Sequence, residues 1–282
     1  NVLIKNYFAK STNSWRRIYV YTPPGYEKTS TRYPVLYLQH GGGEDARVWV
    51  EMGRVNVILD NMIAEGKAKP FIVVMESSYV GGPTAMAPGS PPAPAPAPAA
   101  APGAGAAAGA GRGPAFPGIG GPGGGAYGQF MVKELIPWID SNFRTLANRE
   151  NRAMAGLSMG GMQTAAITMA NLDKFSYIGL FSGGAAIPRR VPGQPAPTEP
   201  ATLDLKTIYN GQMANPAEFN KKVRVFFFSC GSEEYPEALK KHQEQLVAAG
   251  ITNSYLYISP GTAHEWQTWR RSLYSFASLL FK

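Results

Sequence analysis

Cysteine is almost absent from this sequence. Cys230 is the single cysteine among 282 residues, so no disulfide can form within the chain and no Cys-rich metal site can be assembled. Cys230 ends an apolar run, which predicts a small buried side chain at the end of a strand. The H-E-x-x-H motif and clusters of Cys and His are absent as well. We therefore expect neither a metal nor another cofactor.

Long hydrophobic runs are also missing. No stretch of 18 apolar residues occurs without a breaker, so the sequence predicts no transmembrane span and no membrane partner. Acidic residues are in the minority, with 19 Asp and Glu against 27 Lys and Arg, and the net charge is +8. The basic residues are scattered and match no nucleic-acid-binding motif, so no nucleic acid partner is expected. The positive charge fits attraction to acidic polymers and, equally, ordinary solubility.

Residues 83–126 contain little besides proline, alanine and glycine. Such a composition buries too little apolar surface to offset the entropy of ordering the chain. We expect a single domain over residues 1–282 with this segment as a low-complexity insertion. Two interpretations of the insertion remain open: a tolerated loop without a catalytic role, and a mobile arm that affects the access of large substrates.

Outside the insertion, strand-like and helix-like stretches alternate. The apolar strand runs lack a polar alternation, which is typical of a mostly parallel sheet with helices on both faces. The sequence therefore predicts the α/β class. The predicted strands are 17–22, 35–39, 71–76, 177–182, 223–230 and 254–258, and the predicted helices are 54–65, 130–143, 236–249 and one at the C-terminus.

The pentapeptide at 156–160 reads G-L-S-M-G and lies where a short apolar strand runs into a helix. Glycines beside Ser158 permit a sharp strand-to-helix turn that lifts the hydroxyl clear of the sheet. The turn also directs backbone N–H groups of the helix start at a reacting carbonyl. In this setting the motif predicts that Ser158 is a catalytic nucleophile.

Only three histidines are available as the general base. His264 follows the predicted strand 254–258 and precedes the C-terminal helix, which is where a catalytic triad needs its base. His40 ends an apolar strand, and we expect a structural role for it. His242 lies among charged residues of a predicted helix and is expected to be a solvated surface residue. A helix-capping or packing role is the alternative for His264.

The triad acid is expected between the serine and the histidine in chain order, after another strand. The loop that follows the predicted strand 223–230 carries Glu233 and Glu234. We expect Glu234 to orient the imidazole, and Glu233 remains the alternative. Both carboxylates are also compatible with a simple position at a helix N-terminus.

Two backbone N–H groups are predicted to form an oxyanion hole. Met159 directly follows the serine, and Gly42 lies in a glycine run after the predicted strand 35–39. Glycines allow the backbone to approach a substrate closely, and each donor can contribute about 3 kcal/mol of transition-state stabilisation.

Aromatic residues near these motifs are candidates for substrate contact. We predict that Trp266, Trp49 and Tyr79 form a wall for a phenolic acyl group or a sugar. Trp266 and Trp269 are three residues apart, a helical spacing that also fits core packing.

Taken in chain order, these motifs resemble one family. The run Y-P-V-L-Y-L-Q-H-G-G-G at 33–43, then G-L-S-M-G-G at 156–161, and finally G-T-A-H-E-W at 261–266 are similar to the esterase D group of α/β-hydrolases. Within that group the chain resembles carbohydrate esterase family one, over nearly everything except 83–126 and about 188–202. The family usually carries Asp where Glu234 stands, and a glutamate is one methylene longer.

The resemblance implies an α/β-hydrolase fold and a serine esterase. It implies that the substrate is a feruloyl ester of plant-cell-wall polysaccharide, with an acetyl ester of xylan as the alternative. It is also compatible with an S-formylglutathione hydrolase-like thioesterase and with a catalytically silent carbohydrate-binding relative. It further implies a secreted or periplasmic protein, and because the chain begins at Asn1 we expect a mature or trimmed form.

Overall fold

An eight-stranded sheet forms the centre of the computed structural model, which describes residues 1–80, 122–185 and 203–282. The strands are β1 (Val2–Ala9), β2 (Ser14–Tyr21), β3 (Val35–Gln39), β4 (Ile72–Glu76), β5 (Arg152–Leu157), β6 (Tyr177–Phe181), β7 (Val225–Gly231) and β8 (Ser254–Ser259). The α-helices are α1 (Val48–Glu51), α2 (Val55–Ala64), α3 (Gly125–Phe130), α4 (Ile136–Asn142), α5 (Met159–Ala170), α6 (Pro216–Lys222), α7 (Pro236–Ala248) and α8 (Trp266–Ala277), and a π-helical turn, Met131–Leu135, joins α3 to α4.

The strand order across the sheet is β1-β2-β4-β3-β5-β6-β7-β8. Strand β2 pairs antiparallel with both β1 and β4, and every pair from β4 to β8 is parallel. The six parallel strands therefore end at one common edge of the sheet. Loops at the carboxyl edge of such a sheet are where open α/β folds place their ligands.

Both faces of the sheet are covered, as the unbroken apolar runs predicted. Leu36 and Val73 contribute to one core cluster with α2 and α8, whereas their neighbours Val35 and Ile72 contribute to a second cluster on the opposite face, with α3 and α4. A third cluster lies between α5, α7 and strands β6 and β7. Because adjacent side chains of a strand point to opposite faces, a strand covered on both sides must be apolar throughout.

Several boundaries differ from the sequence-based expectations. Strand β1 was not predicted, because Lys5 and Asn6 interrupt its apolar residues. Helix α3 begins at Gly125, which lies inside the low-complexity range 83–126. The rest of that insertion up to residue 121, and the range 188–202, lie outside the described residues.

The expectations for Cys230 and for membrane-spanning helices can be compared with the structure. Cys230 is fully buried, as predicted, and burial raises the pKa of its thiol to about 12. In the described ranges, no helix is long and apolar enough to cross a membrane.

His242 is buried rather than solvated, which corrects the prediction from its charged neighbours. Its side chain is 2% exposed and lies on the same face of α7 as Leu239 and Leu246. The imidazole packs against the ring of Phe228 with a centroid separation of 5.2 Å, and its Nε2 is 3.3 Å from the hydroxyl of Tyr209. Residues three and four apart share a helix face, so the position relative to the leucines outweighs the adjacent lysine and glutamine.

Two buried histidines should make the protein less stable in mild acid. Burial lowers the pKa of both His40 and His242 to about 4. The pKa of a histidine in the unfolded chain is near 6.5. Below that pH the two histidines are therefore protonated in the unfolded chain but remain neutral in the folded protein. The contribution of these two histidines is therefore complete above about pH 6.5 and falls as the pH decreases. Burial raises the pKa of Glu76 to about 7, so that carboxyl group has the opposite pH dependence. Each histidine should remove about 2 kcal/mol of unfolding free energy by pH 5.

Urea unfolding at about pH 7.5 and about pH 5 measures this loss. The matched variant His242→Gln keeps a polar side chain of similar size but cannot titrate, so between the two pH values its unfolding free energy should fall by about 2 kcal/mol less than that of wild type. A loss of equal size in wild type and His242→Gln would show that His242 does not contribute.

Candidate active site

The predicted site residues meet at the carboxyl edge of the sheet. Ser158 follows β5, Glu234 follows β7 and His264 follows β8. Gly42 follows β3, and Tyr79 follows β4. Because these strands are parallel and β4, β3 and β5 are neighbours, as are β6, β7 and β8, segments distant in sequence reach one surface.

Ser158 occupies a strained turn between β5 and α5. Its backbone has φ 52° and ψ −115°, a conformation that non-glycine residues rarely adopt. The Ser158 N–H donates to the carbonyl of Phe181 at 2.7 Å, which ties the turn to the neighbouring strand β6. The side chain is partly exposed, whereas Leu157 and Met159 on either side are buried. A serine raised in this way at the start of a helix is the geometry of a nucleophile elbow.

Glycine is required where the elbow contacts its neighbours. A Cβ atom on Gly160 would collide with the carbonyl oxygen of His40, at the end of β3. A Cβ atom on Gly183 would likewise collide with the carbonyl oxygen of Ser158. The absent side chains allow the loops after β3 and β6 to lie directly against the elbow.

Glu234, rather than Glu233, contacts the candidate base. The Nδ1 atom of His264 is 2.7 Å from Oε1 of Glu234. The carboxylate side chain of Glu234 is only 5% exposed, whereas the His264 side chain is 49% exposed. Glu233 is exposed, and its backbone N–H donates to the carbonyl of Thr262 at 3.0 Å. With Nδ1 occupied, Nε2 of His264 is the nitrogen that can exchange a proton with a substrate or a nucleophile.

Three donors converge on the Glu234 carboxylate. Besides His264, the N–H of Gly231 donates to Oε2 at 2.6 Å and the hydroxyl of Ser182 donates to the same oxygen at 2.8 Å. Burial by itself would raise the pKa of Glu234, but the hydrogen bonds from His264, Gly231 and Ser182 outweigh it, and the pKa lies below its usual value. Glu234 is therefore ionised at neutral pH and accepts from the imidazole.

Ser182 is a member of this arrangement that sequence reasoning missed. Its hydroxyl donates to Glu234 and accepts from the indole N–H of Trp269 at 3.1 Å. The Trp269 ring stands edge-on to His264, with centroids 5.1 Å apart. The available signal was the position of Ser182 directly after β6, between the strands that carry Ser158 and Glu234. Trp269 thus packs under the site, which is the core role that its helical spacing also allowed.

The loop after β3 presents its backbone toward the same edge. The N–H of Gly41 donates to Oε2 of Glu44 at 2.8 Å, and the N–H of Gly43 donates to the hydroxyl of Tyr79 at 2.8 Å. No acceptor for the exposed Gly42 N–H occurs in the part of the chain that the structure describes. Met159 begins α5, and the N–H groups of the first helical turn lack partners within the helix. Gly42 and Met159 therefore retain the donors that an oxyanion requires.

His40 fixes this loop through hydrogen bonds, in agreement with a structural role. It is buried, and its Nε2 accepts from the N–H of Ser78 at 3.1 Å. Nε2 must therefore be unprotonated, so Nδ1 carries the proton and donates to the carbonyl of Gly41 at 2.7 Å. Burial lowers the pKa of His40 and so keeps the ring neutral, which this pair of bonds requires.

The three predicted wall residues have different surroundings. Trp49 is completely buried and donates its indole N–H to the carbonyl of Gln39 at 2.8 Å, so the expectation that it contacts substrate is wrong. Trp266 is partly exposed and lies edge-on against Trp49, with centroids 5.2 Å apart. Tyr79 is half-buried, with its ring 5.5 Å from that of His40. Trp49 belongs to the core cluster that it shares with residues of α2 and α8. Its spacing in the sequence did not reveal these contacts.

A serine held at a strained strand-to-helix turn, on the carboxyl edge of a mostly parallel sheet, characterises the α/β-hydrolases, and this chain is one of them. It belongs to the family described as putative esterase, whose model matches residues 9–102 and 115–277. Membership places the chain among the serine carboxylic ester hydrolases and confirms the resemblance inferred from the motifs.

Known proteins with similar sequences or folds include feruloyl esterases. An endo-1,4-beta-xylanase/feruloyl esterase of Xylanibacter ruminicola is 37% identical over all of this chain and 31% of its own length. A solved ferulic acid esterase has a TM-score of 0.70 at 24% identity, covering 99% of this chain and 97% of the other. A CE1 ferulic acid esterase from Anaeromyces mucronatus, in complex with ferulic acid, has a TM-score of 0.62 at 21% identity, covering 100% and 90%.

The chain is much shorter than its curated relatives. It spans between 22% and 32% of their lengths. The two solved ferulic acid esterases are less than 25% identical to it and therefore support the fold alone.

Proposed function

We propose that this chain hydrolyses feruloyl esters of plant-cell-wall polysaccharide, with Ser158, His264 and Glu234 as its catalytic triad. The observation that carries the mechanism is the 2.7 Å contact between His264 and a buried carboxylate, on the same sheet edge as the strained turn of Ser158. The substrate is favoured by the 37% identity, over the full chain, to a protein described as a xylanase/feruloyl esterase.

The first half of the reaction forms an acyl-enzyme. His264 Nε2 takes the proton of the Ser158 hydroxyl as its oxygen attacks the ester carbonyl, and the carbonyl oxygen becomes an oxyanion. The N–H groups of Met159 and Gly42 stabilise that charge. The imidazolium then gives its proton to the departing sugar oxygen as the carbon–oxygen bond breaks. Glu234 holds the ring and stabilises its positive charge throughout.

Hydrolysis of the acyl-enzyme completes the cycle. His264 removes a proton from water, whose oxygen attacks the acyl carbon and forms a second tetrahedral oxyanion. Collapse of this intermediate releases ferulic acid and returns the proton to Ser158. The buried position of Glu234 and the exposure of His264 suit this work, because the acid needs no contact with water whereas the base must reach both substrate and water. A polymeric substrate cannot cross a membrane, so the proposal implies that the enzyme acts outside the cytoplasm.

Initial rates on methyl ferulate and on a short acetylated xylo-oligosaccharide test the substrate, with Ser158→Ala as the blank. We expect kcat/KM to be at least about 100-fold higher for the ferulate, a difference of about 3 kcal/mol in transition-state binding. A preference for the acetyl substrate would contradict the feruloyl assignment and indicate an acetyl xylan esterase. Absence of fluorophosphonate labelling of the folded protein would contradict a nucleophilic serine altogether.

A further inference from the structure

The glycine run after β3 is held at three points. His40 Nδ1 and the Glu44 carboxylate bind the carbonyl and the N–H of Gly41, at 2.7 and 2.8 Å. The Tyr79 hydroxyl binds the N–H of Gly43 at 2.8 Å. These contacts occupy both neighbours of Gly42 and leave its N–H available. Gly43 has φ 78°, a conformation that only glycine adopts easily. Because the loop contains three glycines in succession, its backbone has many accessible conformations unless other groups hold it.

Tyr79 is itself fixed through its backbone. The Arg16 guanidinium donates to the Tyr79 carbonyl at 3.2 Å and also to the Ser77 carbonyl. Arg16 is 5% exposed and forms an ion pair with the fully buried Glu76 at the end of β4. The neighbouring Ser78 N–H donates to His40. These hydrogen bonds anchor the segment after β4, and that segment presents the phenol to the loop after β3.

Glu44 connects the same loop to the aromatic side of the site. Burial raises the pKa of the Glu44 carboxyl above its ordinary value, although the hydrogen bond from Gly41 and the nearby indole of Trp266 favour the ionised form. Charge on His264 also favours the ionised form of Glu44. The carboxylate is partly buried between these groups, which restricts where the N–H of Gly41 can point.

We propose that Tyr79 and Glu44 are positioning residues of the oxyanion hole. They hold the N–H groups on either side of Gly42, so that the Gly42 N–H is already aimed at the oxyanion before the substrate binds. This inference rests on the proposed function, because it assumes that Ser158 forms a tetrahedral intermediate. Donors contribute to catalysis only when they need no reorganisation at the moment of reaction, and a loop of glycines meets that condition only if it is clamped. Tyr79 thus acts behind the substrate rather than as part of a wall for it.

Tyr79→Phe removes a single hydroxyl and leaves the ring beside His40. We expect kcat to fall about tenfold while KM changes less than about twofold, because the loss concerns the transition state alone. Tyr26→Phe is the matched control, since the Tyr26 hydroxyl also accepts from a backbone N–H, that of Arg144 at 2.9 Å. Tyr26 packs against Tyr33, before the amino end of β3 and therefore at the opposite edge of the sheet. The control should lose a similar amount of stability and keep its kcat.

Two substitutions of Glu44 test its role, and the conservative one should retain the activity that the other loses. Glu44→Ala removes the acceptor of the Gly41 N–H and should lower kcat about tenfold, whereas Glu44→Gln keeps an amide oxygen there and should retain most of the activity. Equal losses in Glu44→Ala and Glu44→Gln would indicate that charge rather than loop geometry matters, and would overturn the role given to Glu44.

The rate of labelling by a fluorophosphonate separates this inference from the choice of substrate. Attack by Ser158 on phosphorus releases fluoride and leaves a tetrahedral adduct whose oxygen occupies the oxyanion hole, whatever the natural acyl group. We expect Tyr79→Phe to be labelled about tenfold more slowly than wild type and Tyr26→Phe. Equal labelling rates in the two Phe variants would overturn the positioning role while the proposed function stands. A wild type that is never labelled would overturn both.

Discussion

Ser158→Ala should lower kcat on methyl ferulate by about 10⁴- to 10⁶-fold, the largest effect expected of any single substitution in this chain. In the proposed mechanism the hydroxyl oxygen of Ser158 forms the acyl-enzyme, so its loss would leave only attack by water in a site that keeps its oxyanion hole. Alanine keeps the Cβ atom, so the strained backbone at φ 52° is neither relieved nor further strained. The thermal unfolding midpoint should therefore change little while activity disappears.

A second substitution makes the test specific to the triad. Ser158→Ala combined with His264→Ala should be no slower than Ser158→Ala alone, because residues that act as one unit lose their effect together. Ser232→Ala is the matched control: this exposed serine also follows a parallel strand, β7, and its hydroxyl accepts from the Gly261 N–H at 2.9 Å. Retention of more than about a hundredth of wild-type kcat by Ser158→Ala would rule out Ser158 as the nucleophile.

Glu234→Gln should lower kcat by about 10²- to 10⁴-fold. The two carboxylate oxygens of Glu234 accept from three donors, namely His264, Ser182 and Gly231. A glutamine has one oxygen and one NH₂ group, so if the oxygen serves Ser182 and Gly231, the NH₂ group faces Nδ1 of the imidazole. Nδ1 must then be unprotonated and Nε2 protonated, which is the tautomer that cannot take a proton from the serine.

Glu233→Gln provides the comparison within the same loop. Glu233 is exposed, and the bond that it makes to Thr262 uses the backbone N–H, which the substitution leaves in place. Its kcat should stay within about twofold of wild type. A measurement of kcat for both variants near neutral pH decides between the two carboxylates. If Glu233→Gln were the slower enzyme, the acid would be wrongly assigned.

The environment of Glu234 also accounts for its length. The family usually has Asp at this place, and a glutamate carries one more methylene. Here the longer side chain folds back so that Oε2 accepts from Gly231, the last residue of β7, while Oε1 reaches His264. Ser182 adds a contact from the adjacent strand β6. The extra methylene is thus held by hydrogen bonds from two neighbouring strand ends, which limits the rotamers open to the carboxylate.

Periodicity and chain order predicted most of the fold for identifiable reasons. Strand β3 was predicted with the observed limits, and the predicted helix at 236–249 ends one residue beyond the observed end of α7. Unbroken apolar strands can be stable only if both faces are covered, so their composition implied helices on each side. The glycines around Ser158 likewise implied a turn that other residues would block.

The errors came where a residue's neighbours in space differ from its neighbours in sequence. The lysines beside His242 suggested exposure, but the face shared with Leu239 and Leu246 buries it. Trp49 lies close to the glycine run in sequence, yet its indole turns inward to bond Gln39. A long aromatic side chain can occupy the surface or the core from the same sequence position, and packing against other elements decides between them.

The sequence by itself determined that this chain has a mostly parallel α/β sheet and that a serine stands between strand and helix, because both follow from local periodicity and from the freedom of glycine. It also placed Glu234 and His264 in the loops after two parallel strands, β7 and β8, since chain order maps onto one edge of a parallel sheet. Only the tertiary structure decided that Glu234 rather than Glu233 meets His264, and that Tyr79 and Glu44 hold the loop around Gly42. Those contacts either join residues far apart in the chain or depend on the direction of one side chain in a turn, and neither property is encoded in local pattern.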